Sequence, residues 1–410
     1  MRIRPQILVP FVFLVMLGMQ QQSCLKSKRP GIPAKVVKVI AETGINRVEL
    51  NKTIGHFFDK QDSIFLHSVY FIIQNLPHQY AVTYSLTDFS DSLLDINLNQ
   101  FDTYEELKQW WFEQKYHKNG IRYKPKKYTL DRDTITAELL ISTIKLAIKS
   151  RSYPWAKTYS EKDFFEFVLP HRFGNEAIHD WRSKANERFS WIMDSVGYQE
   201  DPSKLIRFVN AFVNTNFVFD KRYLKQPEPQ QFDEILQTKK GNYQDLAYLK
   251  AMLLRTFGIP ATIDYVPYLA DTTGSYYFAV AKNASGQFEP LLPSQTEYLF
   301  EEHKIPKVYR RIYTDNPNSL FALKDLSMKT PPFIGHYYYN DVTHEYIPVS
   351  SFRFPVKRTD TIYYAAVFND SSWRAIDWTL SYTDEAVFSE LGSNISYRIM
   401  LIVNDSLVFE

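Results

Sequence analysis

The pattern of apolar and polar positions divides the chain into a helical first part, a mixed middle and a strand-rich end. From about residue 45 to 160, apolar side chains recur at helical spacing. Leu50, Ile54, Phe57 and Phe58 form one stripe, and Ile64, Val69, Ile72 and Ile73 a second that Pro77 stops. Tyr104, Leu107, Trp111 and Phe112 give a third, and Ile135, Leu139, Ile144 and Ile148 a fourth. Each stripe is expected to be a core face. Asp163 to Trp181 is aperiodic and dense in aromatic, charged, proline and glycine residues. Two helices are expected after it, over Arg188 to Val196 and Ser203 to Asn214.

The best-marked helix follows. Asn242 is a good N-cap, Asp245 lies in the first turn, and Leu246, Leu249, Leu253 and Phe257 line one face. Arg255 falls in the last turn, Gly258 supplies a left-handed stop and Pro260 prevents resumption. Ala261 to Val266, Tyr276 to Ala281 and Gln287 to Leu292 then alternate as strands, the last two separated by Asn283-Ala284-Ser285-Gly286. From 341 onward the pattern is β: Tyr346 to Val356, Thr361 to Phe368, Trp373 to Trp378 and Ile395 to Val403, with a turn at Asn369-Asp370-Ser371-Ser372. This predicts an α+β chain: a helical region over 45–160, a mixed core over 161–340, and a small antiparallel β-sandwich-like domain over 341–410.

Composition narrows the function. With 410 residues and a net charge of +2, the chain has no basic footprint for nucleic acid. Its nine histidines show no HxxxH pair, so neither a metal site nor a cofactor is expected. The N-terminus has Arg2 and Arg4 before an apolar run from Ile7 to Met19, which is short for a membrane span and suits a signal peptide. Gln20-Gln21-Gln22-Ser23 leads from it to Cys24, the one cysteine of the sequence. That arrangement resembles the lipobox of bacterial lipoproteins, although Gln21 stands where leucine is usual. It implies that residues 1–24 are a leader ending at a lipidated Cys24, with 25–44 as a tether. The protein is then expected in the cell envelope, held to a membrane such as the outer membrane through a lipid anchor. Ordinary cleavage would instead release it as a soluble periplasmic or secreted protein.

The run Lys240-Gly241-Asn242-Tyr243-Gln244-Asp245-Leu246-Ala247, closed by Leu254-Arg255 and Gly258-Ile259-Pro260-Ala261, resembles the transglutaminase-like superfamily with its papain-like core. Phe167-Val168-Leu169-Pro170-His171-Arg172, Asn175-Glu176, Asp180-Trp181-Arg182, Asn75-Leu76-Pro77, Pro306-Lys307-Val308-Tyr309-Arg310 and Asp341 to Tyr346 are similar to an exported bacterial branch of it. The resemblance implies a cysteine opening the helix, its thiolate favoured by the helix dipole, a histidine base on a following strand and an Asp or Asn to orient it.

This chain departs at all three positions. Tyr243 stands at the nucleophile position, Ser275 is expected at the base position, and Glu289 or Leu292 at the third. A phenol, with a pKa of roughly 10, is no replacement for a thiol at neutral pH. The sequence therefore predicts a pseudoenzyme that binds a peptide or glycan in a degenerate cleft. Candidate contact residues are Tyr243, Gln244, Asp245, Tyr265, Tyr268, Ser275 and Tyr277. A hydrolase or transamidase using other residues, and a scaffold docking a partner protein, are the competing expectations.

Overall fold

A computed structural model describes residues 31–58, 63–117, 120–293, 296, 298–324, 328–403 and 406–409. The expected leader, including Cys24, and the first part of the tether lie outside the described residues. Part of the tether is helix instead: α1 (Ala34–Glu42) places Val36 and Val39 on one face, and both are buried. They join an apolar cluster with α2 (Arg47–Phe57) and α3 (Ser63–Asn75), where Leu50, Ile54 and Ile72 are fully enclosed.

The region 45–160 is not helical throughout. A three-stranded antiparallel sheet in the order β2-β1-β3 interrupts it, formed by β1 (Tyr80–Asp88), β2 (Leu93–Leu94) and β3 (Ile121–Leu130). Pro125 and a run of lysines hide β3 in the sequence. It is an edge strand, and Pro125 sits where the register shifts opposite Tyr84, so its missing donor is tolerated. Between β2 and β3, α4 (Tyr104–His117) buries Leu107, but Phe112 is 68% exposed, so the predicted stripe is only partly a core face. Helix α5 (Ala137–Ser150) then returns to the first cluster through Leu140 and Ile144.

The central part begins with α6 (Glu161–Phe167), α7 (Trp181–Phe189), α8 (Ile192–Val196) and α9 (Ser203–Asn216). A short parallel pair, β4 (Val218–Phe219) with β5 (Lys240–Gly241), encloses α10 (Phe232–Thr238) and leads into α11 (Tyr243–Thr256). The strands β6 (Ala261–Val266), β7 (Tyr276–Lys282), β8 (Phe288–Leu291), β9 (Tyr309–Arg311) and β10 (Tyr339–Asp341) form an antiparallel sheet in the order β10-β9-β6-β7-β8. Along β7 the pleat separates two faces. Ala279 and Ala281 meet the cluster that contains α11, while Tyr276, Phe278 and Val280 belong to a second cluster.

The C-terminal strands form two facing sheets. One pairs β11 (Val349–Pro355) with β14 (Glu385–Gly392); the other runs β13-β12-β15-β16, with β12 (Thr361–Asn369), β13 (Ser372–Ser381), β15 (Arg398–Val403) and β16 (Ser406–Phe409). Strand β12 alternates in function as well as direction. Tyr363, Ala365 and Val367 face the small sandwich, whereas Tyr364 and Ala366 join Tyr265, Tyr309 and Tyr339 of the central sheet. The turn after β12 uses Asp370 and Ser371 at positive φ, as a two-residue hairpin requires.

Candidate functional site

The N-terminus of α11 is built by reciprocal capping. Asn242 Oδ1 accepts from the Asp245 amide at 3.0 Å, and Asp245 Oδ2 accepts from the Asn242 amide at 2.9 Å. Gln230 adds its backbone N–H to Asp245 Oδ1 at 2.8 Å and its side-chain amide to Oδ2 at 3.1 Å. Burial raises the Asp245 carboxyl above its ordinary range, against the pull of these donors. Asp245 therefore shapes the turn and does not face a cleft. Gly241 is required here, since a Cβ would lie 2.7 Å from that of Asp245.

Tyr243 is the first residue of the helix, and its ring is half-buried between two others. Phe219, aligned with Gly241 by the β4–β5 pair, stacks on it at 4.0 Å between centroids, 12° from parallel. Tyr276 of β7 lies on it at 4.3 Å, with its own hydroxyl on Thr296 Oγ1. Burial pushes both phenols upward, so both are protonated at neutral pH. Leu292 shares the apolar cluster of Tyr243 and Tyr276.

The other predicted positions lie elsewhere. Ser275 precedes β7 and is half-buried; the ring that meets Tyr243 is that of Tyr276, one residue on. Glu289 pairs with Ala281 across the strands. Tyr265 is fully buried and donates its hydroxyl to Phe333 O at 2.8 Å. Tyr268 packs edge-on to Phe333 and belongs to the C-terminal sandwich cluster. His171, in one of the motif strings, is structural: its Nε2 is 2.8 Å from the buried Asp131, which Arg172 also engages through both oxygens.

Gln244 and Tyr277 are brought together, in a different place. They line a chamber of about 250 Å³ with Tyr80, Tyr84, Arg311, His336 and Tyr338 among its other walls. A larger groove of about 780 Å³ runs beside it between β1, β2 and the 226–231 segment, and Tyr84 and Pro227 line both. Arg311, His336 and Tyr338 had no motif to announce them. Tyr276 had one available signal, the strand phase, because only one of two adjacent residues can meet the helix end. Among the described residues no three His, Cys, Asp or Glu side chains group as metal ligands. No described helix is long and apolar enough to cross a membrane.

Residues 183–285 match the family model of the transglutaminase-like superfamily, a span running from α7 past β7 and holding both Tyr243 and Tyr276. The chain thus contains a transglutaminase-like core within an α+β fold. A solved structure from Parabacteroides distasonis, described as a "putative protease", is similar at 11% identity and a TM-score of 0.23. The match covers 47% of this chain and 32% of that one, so it spans about a third of the other protein's length. No curated protein matches.

Proposed function

We propose that this protein is a catalytically silent member of the transglutaminase-like superfamily that holds a peptide or glycan beside its altered helix terminus, anchored in the cell envelope through Cys24. The observation that carries this reading is the Tyr243 ring at the start of α11, stacked on Phe219 and in tilted contact with Tyr276. Where the superfamily resemblance implies a thiolate, with its base opposite, this chain has two protonated phenols in tilted contact. Tyr276 thus replaces Ser275 as the residue assigned to the base position, and Leu292, which is apolar, fits the third better than Glu289. The one cysteine of the sequence, Cys24, lies in the expected leader. The neighbouring chamber and groove are the spaces assigned to the ligand.

The test is an assay of purified protein against peptide, amide and amine-acceptor substrates, alongside Tyr243→Ala. Neither protein is expected to turn over substrate. Activity in the parent that Tyr243→Ala abolishes would overturn the silent reading. For the anchor, Cys24→Ser is expected to move the protein from the membrane to the soluble fraction. Unchanged partition would remove the lipid from the proposal.

A further inference from the structure

Arg311, at the end of β9, differs from the other enclosed arginines. Arg172 is paired with Asp131, Arg222 with Asp220, and Arg310 with Asp264 and Glu345. Arg182 and Arg255 donate to backbone carbonyls. Arg311 is half-buried in the wall of the 250 Å³ chamber, its guanidinium 5.2 Å from the centroid of the Tyr265 ring. The titratable groups acting on it are tyrosines, Tyr265, Tyr248, Tyr277 and Tyr80; among the described residues no carboxylate forms an ion pair with it. A guanidinium carries five N–H donors and no acceptor, and removing it from water without an anionic partner is costly.

Two more residues of the same wall hold buried polar atoms without a hydrogen bond, the Tyr338 hydroxyl and His336 Nε2, and the Phe333 backbone also acts on the His336 ring. His336 Nδ1 accepts from the Tyr338 amide at 3.0 Å, which puts the ring proton on Nε2. Burial, with the Arg311 charge next in effect, holds this imidazole well below its ordinary pKa and therefore neutral. Arg311, His336 and Tyr338 thus line one chamber with no carboxylate among its lining residues, while Asp315 and Asp131 act on the Tyr338 phenol from outside it.

We infer that the chamber around Arg311, His336 and Tyr338 binds the oxyanion end, a carboxylate or phosphate, of an elongated ligand whose body lies in the adjoining groove. An oxyanion accepts from all three donors and supplies the charge Arg311 lacks. Tyr84 and Pro227, common to both spaces, mark where the ligand would pass from one to the other. This deepens the proposed binding role and rests on it for the ligand's presence, though not on the loss of catalysis.

The full chain is titrated by calorimetry at constant ionic strength with N-acetylalanine, its neutral amide and inorganic phosphate. The acid, the phosphate or both are expected to bind while the amide does not, and the comparison of the two anions identifies the source. Arg311→Gln is expected to weaken the bound anion roughly ten- to a hundredfold, the range for a lost charge-assisted bond. Tyr338→Phe, which removes one oxygen and keeps the ring, is expected to weaken it several-fold and covers the case in which Arg311→Gln does not fold. Equal binding of acid and amide, no binding of either anion, or unchanged affinity in Tyr338→Phe overturns the oxyanion site. Those outcomes leave the silent reading standing, whereas substrate turnover would end that reading and leave the oxyanion site intact.

Discussion

Lys250 shows how a single residue can carry a charge problem through a well-packed helix. It lies mid-way along α11 at 1% exposure, and its ammonium donates to Leu291 O at 2.9 Å. One carbonyl does not replace hydration, so burial lowers the Lys250 pKa to about 7. In the unfolded chain the same amine holds its proton to about pH 10.4. Between pH 7 and that value the unfolded state binds more protons, so folding stability rises with pH; below pH 7 both states are charged and the full cost is present. That cost is on the order of 3–5 kcal/mol. Lys250→Met keeps the length and removes the charge. It is expected to raise stability at pH 6 and to flatten the climb between pH 7 and 10. Urea unfolding of both proteins across that range checks this, and parallel slopes would show that the buried amine does not titrate as described.

At the scale of elements, α11 was legible because its limits are chemical. Asn242 and Asp245 cap it, and Gly258 stops it at φ +76°, where a Cβ would lie 2.6 Å from Ser150 O. Asn242→Ala removes a cap bond and the donor to Tyr223 O at 3.2 Å. A loss of about 1–2 kcal/mol is expected from the urea midpoint, and a loss below a few tenths would show that the capping box does not set this terminus. Strands β6 to β8 were equally readable from alternation. Strand β3 was not, because its apolar positions are sparse and its stability comes from pairing along β1. Strand β14 escaped for a related reason: Glu385, Ser389 and Glu390 dilute its pattern, and Phe388 and Leu391 are buried only once β11 and β12 lie over them. The site divides the same way. Tyr243 could be placed by a local motif. The motif spacing points to Ser275 while the ring that meets Tyr243 is that of Tyr276, because a motif gives spacing but not strand phase. Of the chamber only Gln244 and Tyr277 could be read as contact residues, since Arg311, His336 and Tyr80 come from separate segments that only the fold joins to them.

At the scale of the whole molecule, the motif strings beyond α11 hold the central sheet to the C-terminal sandwich. Lys307, 1% exposed just before β9, contacts Asp341 at the end of β10 and Asp377 on β13, the latter at 3.1 Å. It also donates to Ser389 O at 2.9 Å and Glu390 O at 3.2 Å on β14. One ammonium thus ties the central sheet to both sheets of the sandwich. Three residues later Arg310 grips Asp264 through two nitrogens and reaches Glu345, while Tyr346 donates to Asp264 at 2.6 Å. Close backbone approach reinforces the joint: a Cβ on Gly392 would lie 2.1 Å from Ile305 O. Lys307→Met would leave Asp377 buried beside Asp341 with no cation, and burial already raises the Asp377 carboxyl above its ordinary range. A loss of about 3–5 kcal/mol is expected at pH 7, as for one removed partner of a buried pair. The loss should shrink toward pH 5, where the orphaned carboxyl takes up a proton in the folded state. Adding Asp377→Asn should recover part of it, because the double variant no longer buries an unpaired charge at that position. Thermal unfolding of the parent and the two variants at both pH values decides the matter. A Lys307→Met protein within 1 kcal/mol of the parent would mean that apolar packing around Tyr364 and Tyr309, rather than the ammonium, holds the sandwich to the core.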